Sequence, residues 1–450
     1  MTSRPRGGRV EALRGAVSGA LWPLPAAAIL AAVGLGIGLT ELDQELAFGD
    51  DPIRFVFTGG PSAARTLLSA IASSLISATT LLFSLTIVTL QLASSQYSPR
   101  LLQTFVRDRV VQTCLGVLLG TFVYALVVLR TVRSADEAQG SSFVPRISVT
   151  VAFLLMLASV AALVTFLSHQ TRQLRVETMM RDVHDESSRT RARLQERQGD
   201  QPDGPLPEVP GSARPLCARS SGFLVQVADG PLLEAVTGCG AVLLLDRRPG
   251  DPVVAGAPMA WAWPQGAGDA VPVDELEGAL QRSVDLGHER GDVADPSYGL
   301  RKLVDIAARA LSPGINDPTT AGHALSHVSA LLGDAAVRDT WHRRLTDEDG
   351  AERLVLRSWT FPELLDLGVT QVRHYGREDL TVVDRLFGLL AEVAWRAHTP
   401  LQREALRHER DALVEQSCAS PPPGRTAEDV QRWARTVDAA LAGQWLRPAG

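Results

Sequence analysis

Residues 66–99, TLLSAIASSLISATTLLFSLTIVTLQLASSQYSP, form a run of 34 residues without a charged side chain, and this run decides the fold class. A helix of that length is about 50 Å long, whereas the hydrocarbon core of a bilayer is roughly 30 Å thick. In lipid, every backbone polar group must bond within its own segment, so such a run forms a spanning helix. The sequence therefore predicts a transmembrane helix that tilts or extends beyond the bilayer.

Three more uncharged apolar stretches lie in the first 170 residues, and each is long enough to span, since about 20 apolar residues cross a bilayer. A soluble protein with four buried helices is the alternative, but four such segments in succession are rare in a soluble core. We predict a tail over 1–20 and a transmembrane domain over 21–168. Its four helices are predicted at about 21–40, 66–95, 110–130 and 147–168.

Arginines on short loops predict the orientation. They cluster in the N-terminal tail, in the loop after the second helix and after the fourth helix, whereas the first loop is acidic. The third loop also carries three arginines and disagrees mildly. The first helix lacks a small-residue cleavage site, so it is an anchor and not a removed signal peptide. We expect a multi-pass protein of the cytoplasmic (plasma) membrane, the inner membrane of a bacterial cell, with both termini in the cytoplasm.

Polar residues of the second helix fall on one side of it. At about 100° per residue they share a wedge of about 80°. Ile87 interrupts this wedge. We name the set the polar stripe, and it consists of Thr66, Ser69, Ser73, Ser77, Thr80, Ser84, Gln91 and Ser95.

Two interpretations of the polar stripe remain open. Small hydroxyl residues let helices approach closely and bond across the contact, which is ordinary packing. Alternatively the stripe faces water in a pore, with Ile87 and Val88 as an apolar constriction that gates by dewetting. The candidate pore-facing residues are then Ser69, Ser73, Ser77, Thr80, Ser84, Ile87 and Gln91. The uncharged spans offer no proton relay or voltage sensor.

GxxxG spacing occurs twice in the predicted spans, at Gly34/Gly38 and at Gly116/Gly120. Glycines at this spacing allow close contact between helices. Packing inside one protomer explains the pattern as well as oligomerisation does. The expected partners are the lipid bilayer and further copies of the chain.

The remaining chain is polar and predicts a cytoplasmic α+β part, so that the whole chain is mainly α. We divide it into a charged, solvated helical connector, a Pro/Gly linker, a small β module, a helical domain and a C-terminal helix. The segment RRPGDPVVAGAPMAWAW (247–263) is similar to the hairpin of barrel-sandwich modules, and it contains no lysine to carry a cofactor. We therefore predict a small β-barrel-like module used for packing or assembly. The predicted ranges are 169–198, 199–215, 216–265, 272–415 and 426–446.

A doubled helix-start signal marks the helical domain. Asp295 with Pro296, and Asp317 with Pro318, each predict an N-cap followed by proline at the first helical position. Between them LSPGIN (311–316) ends the first helix. The motif is either a structural turn or an anion site at the exposed amides of the second helix. Its candidate residues are Ser312, Gly314, Asn316 and Asp317.

The sequence contains no convincing catalytic or metal-binding pattern. His323 and His327 share a helix face, but HExxH is absent and no third ligand is evident. The four cysteines lack CxxC spacing and predict neither disulfides nor zinc. A net charge of −6 gives no reason to expect nucleic acid. We expect no cofactor and no metal, and enzymatic activity is the least favoured of the functions considered below.

Three motifs carry a resemblance to a known family. They are LASSQYSPRLLQTFVRD (92–108), DPSYGLRKLVDIAARALSPGINDPTTA (295–321) and FPELLDLGVTQVRHYG (361–376). Over roughly 13–413 the chain resembles the bacterial predicted membrane proteins called "domain of unknown function 2254". The resemblance implies four spans and a cytoplasmic C-terminal domain, but no activity.

Three functions are compatible with these patterns. The first is an oligomeric pore or permeation protein, lined by the second helix and assembled or gated by the cytoplasmic domain. The second is a membrane-anchored sensor or scaffold that binds a ligand or partner through its soluble helices. The third, an enzyme at the membrane surface, lacks a nucleophile–base pair, a Walker A loop and a metal constellation.

Overall fold

The computed structural model describes residues 22–46, 57–96, 108–133, 143–173, 175–198, 203–266, 270–290, 295–337 and 342–446. The predicted tail over 1–20 and part of the predicted linker lie outside these residues. The chain divides into two compact units, Met1–Arg175 and Val176–Gly450. The described part is mainly helical, and its strands all belong to the second unit.

The described part of the first unit contains four helices that are long and apolar enough to cross a membrane, as the sequence predicts. Helix α3 is the most enclosed, with 56% of its apolar window buried against at most 28% in the others. The other three helices pack against α3. The helices are α1 (Pro23–Leu46), α2 (Pro61–Gln96), α3 (Arg109–Thr131) and α4 (Arg146–Gln173).

Buried polar contacts tie the helix ends of this unit together. Asp43, near the end of α1, accepts hydrogen bonds from the backbone N–H groups of Ile147 (3.0 Å) and Ser148 (2.9 Å) and thereby caps α4. Asp108 caps α3 and lies 2.6 Å from Nε2 of His169 on α4. Carboxylates at helix N-termini satisfy free N–H groups and oppose the helix dipole favourably. Asp43, predicted only as part of an acidic loop, therefore positions two helices.

The second unit mixes helices and short strands. Its helices are α5 (Val176–Gln198), α6 (Asp229–Gly238), α7 (Val273–Ser283), α8 (Ser297–Ala310), α9 (Pro318–Val337), α10 (Phe361–Tyr375), α11 (Leu380–Arg396), α12 (Pro400–Ala419) and α13 (Ala427–Leu441). Its strands are β1 (Asp203–Gly204), β2 (Arg214–Cys217), β3 (Gly222–Val227), β4 (Ala241–Leu245), β5 (Pro252–Val253), β6 (Pro258–Pro264), β7 (Val284–Gly287), β8 (His342–Thr346) and β9 (Glu352–Leu356).

The strands form two sheets, and neither is a closed barrel in the described residues. The larger has the order β1-β8-β9-β4-β6-β2 and the smaller the order β5-β3-β7. Strand β4 is fully buried and pairs with β9 in parallel, with Leu243 opposite Leu354. The segment 272–415 was predicted as helical, yet it supplies β7, β8 and β9. The predicted β module is thus completed by strands from far along the chain and does not close by itself.

Helix α5 is not the solvated connector that its charge pattern suggests. Met179, Met180 and Val183 are buried, and α5 packs on α8 and α9. The charged residues that dominate its sequence occupy the remaining faces. A narrow apolar stripe is enough to dock a helix when the partner surface is also apolar.

The RRPGDP turn is joined to the start of α8 by a close backbone approach. Gly250 has a φ of +93°, and a Cβ there would lie 2.1 Å from Oδ2 of Asp295. Asp295 is buried, accepts from the backbone N–H of Ser297 and pairs with Arg290 at 2.9 Å. Only glycine fits this position, because a side chain would be strained and would displace Asp295. The helix begins at Ser297 with Pro296 as its N-cap, so the predicted cap at Asp295 lies one residue too early, although Asp295 still accepts the N–H of Ser297.

Candidate functional site

Helix α2 has one face inside the protomer and one face outside it. The inner face carries fully buried apolar side chains, among them Leu68, Ile71, Leu75 and Leu82. At about 100° per residue, this face lies opposite the polar stripe. The described side chains of the stripe, from Thr66 to Gln91, are all exposed. Among the described residues, the stripe therefore does not pack against the other helices of the protomer.

Several hydroxyl groups of the stripe donate to carbonyls of their own helix. Thr66 donates to the carbonyl of Ser62 (2.9 Å), Ser77 to that of Ser73 (2.9 Å) and Thr80 to that of Ile76 (2.9 Å). Each hydroxyl has one donor hydrogen and two acceptor lone pairs. With the hydrogen engaged by the backbone, the lone pairs face away from the protomer.

The predicted constriction also lies on the outer face. The exposed fractions of Ile87 and Val88 are 44% and 48%, and Gln91, one turn further on, is exposed. The side chain of Ser95 lies outside the described residues. The candidate residues Ser69, Ser73, Ser77, Thr80, Ser84, Ile87 and Gln91 thus form one continuous surface feature.

The two GxxxG patterns have different surroundings. A Cβ at Gly116 or Gly120 would lie 3.3 Å from Ala28 of α1, so this pair allows α1 and α3 to pack closely inside the protomer. Gly34 and Gly38 are exposed on α1, and a Cβ at either would meet nothing within 4 Å. The protomer therefore presents a second outward feature of a type that associates helices.

In the second unit, polar groups of the LSPGIN turn bond to one another and to the ends of the two helices that the turn joins. Ser312 donates to the carbonyl of Arg309 (2.7 Å), and its own carbonyl accepts from the backbone N–H of Asn316 (2.9 Å). Asn316 has a φ of +48°, and Gly314 is exposed. Asp317 accepts from the N–H (3.0 Å) and the hydroxyl (2.6 Å) of Thr320 and caps α9. An anion there would meet the Asp317 carboxylate, so ligand binding by this turn stays a prediction.

We expect Asp317→Ala to lower the free energy of unfolding by about 1 kcal/mol, the usual cost of losing an N-cap. The pKa of Asp317 lies below its ordinary value of 3.8, because hydrogen bonds from Thr320 favour the charged form. The stabilisation is therefore full above that ordinary value and is lost as the pH falls below it. Chemical unfolding of the full chain at pH 7 and pH 3 measures both effects.

Asn316→Gly is the matched control for Asp317→Ala. Asn316 has a positive φ, which glycine adopts without a steric penalty, so the stability of this variant should stay near that of the natural chain. A stability of Asp317→Ala equal to that of the natural chain would contradict the capping role.

Histidines of the second unit lie near each other without forming a metal centre. His323 is exposed and His327 is half-buried on α9, and the ring of His184 on α5 lies 5.3 Å from that of His327. Within the described ranges, no group of three or more His, Cys, Asp or Glu side chains could hold a metal ion. The proximity of His184 was not predictable, because no sequence signal pairs α5 with α9.

Sequence reasoning also missed two polar groups inside the second unit. Lys302, the only lysine of the chain, is buried on α8 and pairs with Glu186 of α5 at 3.1 Å. A small cavity of about 30 Å³ in the same unit is lined by residues that include Ser187, Arg191 and Leu332. A volume of this size holds about one water molecule and is too small for an organic ligand.

Comparisons with known proteins agree with the membrane assignment. The family model described as "Predicted membrane protein (DUF2254)" matches residues 18–392. The chain is similar to "Uncharacterized protein Rv1290c" of Mycobacterium tuberculosis and "Uncharacterized protein Mb1321c" of Mycobacterium bovis. Each is 34% identical over 408 residues, which cover 89% of this chain and 76% of the relative. No solved structure matches the chain.

Proposed function

This chain belongs to the DUF2254 family of predicted membrane proteins, and we propose that it forms a homo-oligomeric pore whose α2 helices line a polar path. The observation that carries the proposal is the outward position of the polar stripe. In lipid alone, hydroxyl hydrogens of the stripe still bond to the helix backbone, but their outward lone pairs would have no hydrogen-bond donor. When several copies associate with their polar stripes facing one another, the stripes enclose a path, and water in that path can donate hydrogen bonds to their oxygens.

A second outward feature supports assembly. Gly34 and Gly38 of α1 form an exposed GxxxG surface with open space above both glycines. Without a hydrophobic driving force between helices in lipid, such small-residue surfaces are a main means of association. We infer that α1 supplies contacts between copies while α2 faces the enclosed path.

The chemistry of the stripe favours water and cations. Outward lone pairs can replace part of a cation's hydration shell, and the stripe carries no basic residue. Ile87 and Val88 interrupt it with apolar surface, and a ring of such side chains can close a pore by dewetting. The expected conductance is therefore gated and only weakly selective among cations.

The proposed membrane is the cytoplasmic membrane, with both termini in the cytoplasm. The distribution of arginine over the loops supports this orientation. The second unit would then lie in the cytoplasm, where it assembles or gates the pore.

Recording from purified full-length protein in lipid vesicles tests the proposal. We expect discrete conductance steps, larger for cations than for anions, and recordings with and without membrane tension identify the gating stimulus. Folded protein that stays silent under both conditions would contradict the pore. The second function, a membrane-anchored binding protein, would then be favoured.

Cysteine cross-linking tests the assembly separately from conductance. Ser77→Cys is expected to form disulfide-linked dimers in vesicles, because the stripes of neighbouring copies face one path. Leu85→Cys, about 80° around the helix from position 77, is the matched control and should cross-link weakly. Both variants are made in a chain in which the half-buried Cys217, Cys239 and Cys418 are replaced by serine, so that these cysteines do not cross-link.

A further inference from the structure

Helix α5 is fixed to α8 and α9 by contacts that include several titratable groups. Lys302 of α8 pairs with Glu186 at 3.1 Å, and Asp334 of α9 pairs with Arg191 at 2.9 Å. Along α5, the buried Ser187 and the half-exposed Ser188 lie between these two ion pairs. Met179, Met180 and Val183 of α5 are also buried, so the contact is held both by ion pairs and by apolar burial.

A histidine pair lies in the same contact. The ring centroids of His184 on α5 and His327 on α9 are 5.3 Å apart, with an angle of 57° between the ring planes. The Nδ1 atom of His184 is enclosed, and no group in the described part of the chain bonds to it. Both rings are only partly accessible to water. Two imidazoles fit at this distance when neutral, but two imidazolium ions repel each other.

We propose that His184 and His327 form an acid-sensitive latch, in which protonation of both rings loosens α5 from α9. The use of this latch to regulate a pore rests on the function proposed above, whereas the loosening itself does not. Histidine is the side chain whose ordinary pKa places such a change within the physiological range.

The charges around the pair support a loosening at acid pH. The pKa of His327 lies below its ordinary value of 6.5, chiefly because burial disfavours the charged ring. The neighbouring His184 and His323 lower this pKa further, and only Asp185 raises it. On α8, Lys302 adds a positive charge, which Glu186 compensates. Around His327, the carboxylate of Asp185 is thus opposed by burial and by two neighbouring histidines.

The direction of the pH dependence follows from the lowered pKa. A folded state that holds a neutral histidine binds fewer protons than the released state in the interval below the ordinary pKa. The packing of α5 is therefore full above pH 6.5 and is lost as the pH falls through the interval below it.

The position of the latch in the chain gives it a regulatory use. Helix α4, the fourth membrane helix, ends at Gln173, and α5 begins at Val176. A change in the packing of α5 therefore occurs two residues along the chain from a membrane helix. We infer that the latch makes the proposed pore respond to acidification of the cytoplasm.

Hydrogen–deuterium exchange of the full chain in detergent tests the latch without measuring conductance. Protection of residues 176–198 is measured at pH 7.5 and 5.5, with exchange times corrected for the intrinsic effect of pH. Because pH 5.5 lies one unit below the ordinary histidine pKa of 6.5, a ring kept neutral by the docked helix lowers protection by up to about tenfold, and we expect a fall of about five- to tenfold. In the double variant His184→Gln, His327→Gln the fall should be smaller than about threefold. His323→Gln, an exposed neighbour on α9, is the matched control and should keep most of the response.

Two results would overturn the latch. One is equal protection of α5 in the natural chain at both pH values, and the other is an unchanged fall in the double variant. If the double variant does not fold, His184→Gln alone decides the question, because removing one of two like charges should reduce the fall to less than half. Since exchange does not depend on conductance, a silent protein with a working latch would contradict only the pore.

Discussion

Ser77→Trp is expected to abolish the conductance of the reconstituted protein. Ser77 lies near the middle of the stripe, and its hydroxyl donates to the carbonyl of Ser73 on its own helix (2.9 Å). Because Ser77 is exposed in the described part of the chain, an indole there should change the free energy of folding by no more than about 0.5 kcal/mol, as for other surface substitutions. In an oligomer, every copy contributes one indole to the same level of the path. The indoles of all copies together therefore block the path, whereas each protomer loses little stability.

Leu85→Trp is the control for this prediction. Leu85 is 36% exposed on α2 and lies about 80° around the helix from Ser77, outside the stripe. The same indole there should leave the conductance close to that of the natural chain. Equal currents from Ser77→Trp and the natural chain would contradict a pore lined by α2, even if channels are observed. Equal losses in both tryptophan variants would point to a general effect on assembly.

The membrane unit could be predicted from the sequence because the bilayer constrains it so strongly. A spanning helix needs about 20 consecutive apolar residues, so each span is visible without knowledge of its neighbours. The polar stripe was likewise visible as a period along α2. Its exposure was not predictable, because that depends on which face of α2 packs on α3. The two GxxxG patterns, Gly34/Gly38 and Gly116/Gly120, illustrate the same limit, since only the structure separates the inward pair from the outward one.

The second unit was harder to predict because its decisive contacts are distant in sequence. Strand β4 pairs in parallel with β9, where Leu245 lies opposite Leu356, and no local pattern indicates such a partner. Helix α5 was misinterpreted because its few apolar residues stand among many charges. At the LSPGIN turn the cap at Asp317 was predictable, because an aspartate followed by proline is a common start of a helix. Whether any ligand uses this turn remains a prediction, as does the pore itself.

Gly299→Ala is expected to lower the free energy of unfolding of the second unit by about 1–3 kcal/mol, the range for overpacking a tight contact. A Cβ at position 299 of α8 would lie 1.6 Å from Oγ of Ser187 on α5 and 2.8 Å from its Cβ. Rotating the hydroxyl away breaks its hydrogen bond to the carbonyl of Val183 (2.6 Å) and still leaves the close Cβ. The two helices must therefore separate. Chemical unfolding of the full chain in detergent measures the loss.

A Gly→Ala substitution at a second helical glycine, without a close neighbour, should change the free energy of unfolding in the opposite direction. Gly322 lies on α9 in the same unit, and a Cβ there would meet nothing within 4 Å. Gly322→Ala should therefore raise the stability by about 0.5–1 kcal/mol, because alanine loses less backbone entropy in a helix than glycine does. The difference in sign between the two Gly→Ala variants separates the steric effect at position 299 from helix propensity, which favours alanine at both positions.

The double variant Gly299→Ala, Ser187→Gly tests whether Ser187 is the source of the clash. With both side-chain atoms of Ser187 removed, the nearest atom to the new Cβ is the carbonyl oxygen of Val183 at 3.5 Å, an ordinary contact. Ser187→Gly alone should cost up to about 1 kcal/mol through helix propensity. The double variant should nevertheless be more stable than the sum of the single effects by at least about 1 kcal/mol, as expected for residues in direct contact. Additive losses would mean that α5 and α8 do not approach each other at these residues, and the latch would then lose the close docking of α5 on which it depends.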